Sequence, residues 1–166
     1  MIQQTLIIIK PDGIIKSLTG NILTALSETK LKIAGAKIVR VSKKLAREHY
    51  KRHKGKPYYK ELLKYITGGF HADRVLALVY HGGGAIAKVR VIVGDKNPEK
   101  AEPTTIRGRY GRIRSDTGIF ENVIHTSDTV KEAREEIRLW FKPEELTYRI
   151  FPTKKVRTNK AELVWR

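Results

Sequence analysis

The segment Asn122-Val123-Ile124-His125-Thr126-Ser127-Asp128 runs straight into Thr129-Val130-Lys131-Glu132 and decides how the chain is read. Val123 and Ile124 are an apolar, β-branched pair suited to a short strand. Thr129, followed three residues later by Glu132, is a capping box and marks a helix start. From there Val130, Ala133, Ile137, Trp140 and Phe141 form one stripe at helical spacing, and Pro143 closes the element. A strand therefore hands over to a helix through a histidine.

The same alternation extends towards the N-terminus. Thr5 to Ile9 is an unbroken apolar run, a buried strand ending at Lys10-Pro11, with turn chemistry at Asp12-Gly13. Leu18 to Leu31 has helical spacing through Ile22, Leu23 and Leu26, and Ile33 to Val41 alternates as a strand. Ser42 opens a basic helix towards Lys54 with Leu45, Ala46, His49 and Tyr50 on related faces. Pro57 restarts a helix that Gly68-Gly69 stops. Val75 to Tyr80 is a further apolar strand, and Gly82-Gly83-Gly84 leads into a helix ended by Gly94. The order β, α, β, α, α, β, α, long loop, β, α predicts a layered sheet with helices on one or both faces. The irregular stretch from Asp95 to Glu121 is long for a compact domain, and its Arg and Gly content points to function rather than disorder.

A chain of 166 residues, 40% hydrophobic, fits one domain with a real core. It has no cysteine, which excludes a disulfide framework and a thiolate zinc site and favours a cytoplasmic setting. The N-terminus lacks the basic and apolar regions of a signal peptide, and no stretch has the length of a membrane span, so a soluble protein without a membrane partner is expected. The net charge of +17 is unevenly spread. Lys30 to Lys60 holds twelve Lys or Arg against Glu48 alone, Arg107, Arg109, Arg112 and Arg114 cluster, and Lys154, Lys155, Arg157, Lys160 and Arg166 make a basic tail. Such a surface attracts polyphosphates and nucleic acids alike.

Phosphate chemistry has no standard loop here: neither a G-x-x-x-x-G-K-[ST] motif, nor a G-x-G-x-x-G after a strand, nor a protein-kinase catalytic loop is present. His49 and His53 share a helical spacing that could grip a metal, but the Glu of H-E-x-x-H is missing and the cationic surroundings point to two surface histidines. His125 sits at a strand end just before a helix start, where backbone donors favour anions. A neutral imidazole can attack phosphorus without first losing a proton to a base. Position alone fits a packing histidine equally well.

The segment 122–128, with K-P-D-G at 10–13, N-P at 97–98, T-I-R-G at 105–108 and L-W-F-K-P-E-E-L at 139–146, resembles the nucleoside diphosphate kinase family, in order and nearly throughout the chain. The resemblance implies a ferredoxin-like α/β sandwich (α+β), a four-stranded antiparallel sheet with packed helices, over residues 1–150, with 151–166 a basic C-terminal extension. It implies transfer of the terminal phosphate of a nucleoside triphosphate to a nucleoside diphosphate by a ping-pong route, with His125 as the phosphorylated nucleophile. Lys10, Arg90 and Arg107 match the family's phosphate- and sugar-contacting cations. Asn122 matches an asparagine on the sugar hydroxyls, and Tyr50 a tyrosine lining the histidine. Tyr58 matches the aromatic platform for the base, with Leu62 one helical turn on. Ser127 and Glu136 match the groups around the histidine, and Glu136 is nearest the apolar stripe of its helix. Mg²⁺ is expected on the nucleotide phosphates, with no protein metal site, and a homo-oligomer, tetramer or hexamer, is implied.

Several positions depart from the family's pattern. Lys96 stands where a threonine usually contacts phosphate, Thr104 and Thr126 replace small residues, Arg109 replaces an aspartate, and the 112–121 stretch is longer. The rival reading is a basic nucleic-acid-binding protein on the same scaffold. It lacks an aromatic-rich RNP1 string, and the intact identities at His125, Arg107, Arg90, Lys10 and Asn122 favour the enzyme.

Overall fold

The computed structural model describes residues 1–155 and 157. Four strands form the main sheet: β1 (Ile2–Ile9), β2 (Lys32–Val39), β3 (Val75–Gly83) and β6 (Ile124–Thr126), in the order β2-β3-β1-β6 with every neighbour antiparallel. Helices α1 (Pro11–Ile15), α2 (Thr19–Ser27), α3 (Lys43–His49), α4 (Tyr59–Ile66), α5 (Ala85–Val93), α6 (Ile106–Tyr110) and α7 (Val130–Trp140) surround it. A two-stranded hairpin, β4 (Arg112–Ile113) with β5 (Phe120–Glu121), completes the described elements. No described helix is long and apolar enough to cross a membrane.

The unbroken apolar run of β1 is explained by burial on both faces. Leu6 and Ile8 point into one core with Ala46 and Tyr50 near α3, Ile66 of α4, and Ile137 and Trp140 of α7. Ile7 and Ile9 point the other way, against Ile22 and Leu26 of α2, Val89 and Val93 of α5, and Ile106 of α6. The four-stranded antiparallel sandwich expected from the motifs is present, with helices on both faces. The C-terminal side follows the first core: Leu146, Ile150 and Phe151 pack against it, and Arg134 and Arg138 stack on the Phe151 ring. Of the basic tail, Lys160 and Arg166 lie outside the described residues.

Some sequence expectations need correction. Pro11 to Ile15 is a short helix rather than a bare turn: Pro11 fits its first position, where a missing N–H costs nothing. The 95–121 stretch is not irregular throughout but holds a 3₁₀ turn at Pro98–Lys100, α6 and the β4–β5 hairpin. These elements are too short for a hydrophobic period to show. Val130 of the α7 stripe is exposed. Only half of the capping box closes as drawn: Thr129 accepts from the Glu132 amide, while the Glu132 carboxylate accepts from the amide of Asp128.

The turn from β1 into α1 fixes the approach to β6. Val123, a β-branched residue, sits at φ 56°, in the left-handed region. Such a conformation persists only when its neighbours over-determine it. The Lys10 amide donates to the Val123 carbonyl at 2.9 Å, and the Val123 amide donates to Asp12 Oδ2 at 3.1 Å. Fully buried Asp12 also accepts from the Tyr65 hydroxyl at 2.5 Å. Gly13 lets the strands close up, since a Cβ there would stand 3.0 Å from the Val123 carbonyl oxygen. The K-P-D-G motif is thus a clamp. Asp12→Ala should cost about 2–4 kcal/mol of unfolding free energy by leaving two buried donors unpaired, and Tyr65→Phe about 1–2 kcal/mol. Chemical denaturation of both variants measures this.

Candidate active site

The register of β6 on β1 sets the face that His125 uses. His125 pairs with Ile8, so its side chain shares the face of Leu6 and Ile8, under α3, α4 and α7. A slip of one residue would send it into the opposite core. The histidine therefore lies within the strand rather than just after it, and the sheet register, more than the helix start, aims the ring.

Glu136 of α7 meets the ring from that side. Its Oε1 lies 2.9 Å from His125 Nε2, close but poorly aligned with the N–H direction, and its Oε2 accepts from Ser127 Oγ at 2.6 Å. Ser127 Oγ in turn accepts from the Leu6 amide at 3.2 Å, tying this chain of contacts back to β1. Burial pushes the Glu136 carboxyl up, but the facing His125 and His49 and the Ser127 hydroxyl outweigh it and hold the group at about 2. An ionised carboxylate is an acceptor only, so the tautomer that suits it carries its proton on His125 Nε2 and leaves Nδ1 as a bare lone pair.

His49 corrects the expectation of a surface histidine. Its side chain is 1% exposed, and its ring meets that of His125 edge-on at 4.5 Å. The error came from its charged neighbours Arg47, Lys51 and Arg52; the spacing from Leu45 and Ala46 carried the better signal. Together, His49, His125 and Glu136 bring ligating atoms within 4.8 Å of one another, the one such group among the described residues. The Trp140 indole, a donor only, gives its N–H to His49 Nδ1 at 3.2 Å, so Nε2 must carry the imidazole proton and has no lone pair to offer a metal. Trp140 thus argues against a metal there.

Four cations gather along the segment 122–128 that carries His125. Lys10 Nζ donates to Asn122 Oδ1 at 2.7 Å, and Asn122 Nδ2 donates to the Lys96 carbonyl at 2.7 Å. Burial, with Arg107 nearby, lowers Lys10 to about 7, against the pull of Asp12. Arg107 is pinned by donating to the Gly94 and Ile124 carbonyls, each at 3.0 Å, and burial lowers it to about 10. Arg90 and Lys96 both grip the Asp128 carboxylate. Tyr50 is buried, its hydroxyl has no partner among the described residues, and burial pushes it up, reinforced by Glu136. Tyr58 stands at the N-terminus of α4, 43% exposed, with Leu62 partly buried against the first core. Asp12, Asp128 and His49 were missed by sequence reasoning. Only Asp12 and Asp128 lay inside quoted motifs, where they went unassigned.

A histidine beside an ionised carboxylate, on a segment to which Lys10, Arg90, Lys96 and Arg107 are bonded, is an arrangement compatible with phosphoryl transfer. The chain belongs to the nucleoside diphosphate kinase family: the family model described as "Nucleoside diphosphate kinase" matches residues 3–146. The nucleoside diphosphate kinase of Thermococcus kodakarensis is 45% identical over 145 residues, covering 87% of this chain and 80% of that protein. The Halobacterium salinarum nucleoside diphosphate kinase, solved in complex with CDP, superposes with a TM-score of 0.78 at 38% identity, covering 88% of this chain and 91% of that one. The Borrelia burgdorferi nucleoside-diphosphate kinase, a transition state mimic with bound vanadate and ADP, gives 0.77 at 30% identity, covering 93% of each chain.

The buried histidine leaves a signature in stability. His49 is held well below its ordinary 6.5, by burial first and by the His125 charge second, so the folded chain keeps it neutral while the unfolded chain protonates it below 6.5. The unfolded state then binds more protons, and stability falls as pH falls. Between pH 6.5 and 5, His49→Gln should remove a slope of up to about 1.4 kcal/mol per pH unit, measured by denaturant unfolding at each pH.

Proposed function

We propose that this nucleoside diphosphate kinase works through a phosphohistidine at His125. The observation that carries the reading is the contact of ionised Glu136 with His125 Nε2, which leaves Nδ1 as the nucleophilic atom. The Nδ1 lone pair attacks the terminal phosphorus of a nucleoside triphosphate. The N–P bond forms as the P–O bond to the bridging oxygen breaks, and the nucleoside diphosphate leaves with that electron pair. A second diphosphate then attacks the phosphohistidine through a terminal phosphate oxygen, restoring the neutral imidazole. Positive charge that gathers on the ring is met by Glu136, which Ser127 holds in place.

Lys10, Arg90 and Arg107 suit the spreading charge on the equatorial oxygens, with Arg giving paired donors and Lys a point charge. Lys96 keeps a contact to phosphate as an ammonium. Asn122 serves a sugar hydroxyl, Tyr50 lines the histidine, and Tyr58 with Leu62 supports the base by a π-face that every base can use. Mg²⁺ would travel on the nucleotide: Asp128 is already gripped by two cations, and the one ligand cluster among the described residues is imidazole-rich, unlike the oxygen sets this ion prefers. When bound, the ion neutralises phosphate charge. We further read residues 1–150 as the kinase domain and the basic segment after it as an extension. Self-association is supported by the exposed Ile33 and Ile38 on edge strand β2. The basic surface suits non-specific nucleic-acid contact as a secondary property.

Incubation with terminally labelled ATP should leave acid-labile phosphate on the wild-type chain, and none on His125→Ala. Exchange into several nucleoside diphosphates should fall by about a thousandfold or more in that variant. Label persisting in His125→Ala would place the nucleophile elsewhere.

A further inference from the structure

His53 lies outside the machinery assigned so far, yet it stands between two parts of it. It closes the 3₁₀ turn Lys51–His53 that joins α3 to α4. Its ring meets Tyr50 edge-on at 5.7 Å and Tyr58 edge-on at 5.8 Å. Its Nδ1 lies 3.1 Å from the Tyr58 hydroxyl. Burial lowers its pKa, and the charges of Lys96, Lys10 and His125 lower it further.

Tyr58 has few restraints of its own. It is half-exposed, at the last position before α4, after a turn whose Gly55 takes φ 87°. An exposed aromatic ring there would sample several rotamers, and a base arriving on it would have to fix one. Among the described residues, the bond to His53 is the one side-chain hydrogen bond the ring makes. Tyr50, itself buried, also meets the His53 ring.

We propose that His53 is a positioning residue for nucleotide binding: through Nδ1 it holds the Tyr58 ring in place, coupling the base platform to the Tyr50 wall of the phosphate cleft. This rests on the reading of Tyr58 as that platform. Because a π-face does not distinguish bases, the tether acts alike on purine and pyrimidine diphosphates.

A double-mutant cycle on the full chain tests it, read by calorimetric binding of ADP and CDP and by the exchange assay. His53→Leu and Tyr58→Phe each remove one partner of the same bond. Each should raise Kd and KM for both diphosphates by about three- to tenfold, the loss falling on KM rather than kcat. The double variant should lose no more than either single one. His53→Asn, whose amide nitrogen occupies nearly the place of Nδ1, should restore affinity, which a purely structural role for the imidazole would not allow. If His53→Leu fails to fold, Tyr58→Phe and His53→Asn still read the bond.

Additive losses in the double variant, or losses confined to kcat, overturn the proposal. So does wild-type affinity in His53→Leu alongside weakened binding in Tyr58→Ala, an outcome that leaves the platform standing. Wild-type affinity in Tyr58→Ala removes the platform and the tether together. Absence of ADP binding by the wild-type chain defeats the functional reading itself.

Discussion

The pairing of Ile8 with His125 across β1 and β6 is the constraint on which the site depends. β6 is only three residues long and sits at the sheet edge, so its own ladder is weak. The register is enforced from outside the strand. Before it, the Asp12 clamp holds Val123 in a left-handed conformation; after it, Ser127 bonds to Leu6 through both its amide and its hydroxyl. Tyr65 reaches Asp12 from α4, and Glu136 reaches Ser127 from α7, so two helices of one core lock the two ends of a single strand. The strain at Val123, on the order of 1–3 kcal/mol, is offset by these buried hydrogen bonds, and the return is a fixed imidazole.

Fixing the ring is half of the design; the other half is fixing the charges around it. Arg107 is held by two backbone carbonyls, which fixes its guanidinium. Arg90 and Lys96 are held differently, by the partly exposed carboxylate of Asp128. That carboxylate balances two like charges that would otherwise repel across the cleft of a chain already at +17. Prealigned donors need no reorganisation as charge develops in the transition state, which is where electrostatic catalysis gains most. Lys96 fits this logic: at a position where the family usually carries a hydroxyl, an ammonium adds charge to the cleft, and Asp128 is at hand to neutralise it.

The legible parts of this fold were those with a long period. β1 and β3 showed as unbroken apolar runs because both faces are buried, and α7 as a stripe through Ala133, Ile137 and Trp140. The invisible parts were short. α1 is five residues built on Pro11-Asp12-Gly13, which reads equally well as a turn, and two-residue strands such as β4 and β5 carry no alternation at all. The site divides in the same way. His125, Lys10, Arg107 and Asn122 were named through ordered motifs, and the structure brings them to one region, while His49 was hidden by the lysines and arginines beside it. Local charge density reports on the exposed faces of a helix; it says nothing about the one residue turned inward. His49 could be placed only by asking which residues share a face with Leu45 and Ala46.

Lys10 shows how binding and protonation are joined in such a cleft. It is buried beside Arg107, so its ammonium is disfavoured and its pKa is brought down to about 7. The same lysine in water would be charged by a wide margin. A polyphosphate placed among Lys10, Arg107, Arg90 and Lys96 reverses the balance, because each phosphate oxygen favours the charged form of every cation near it. Burial thus disfavours the ammonium of Lys10, and an anion close to it would favour that form. In a low-dielectric setting the same desolvation that costs a buried ammonium also strengthens its attraction for an oxyanion.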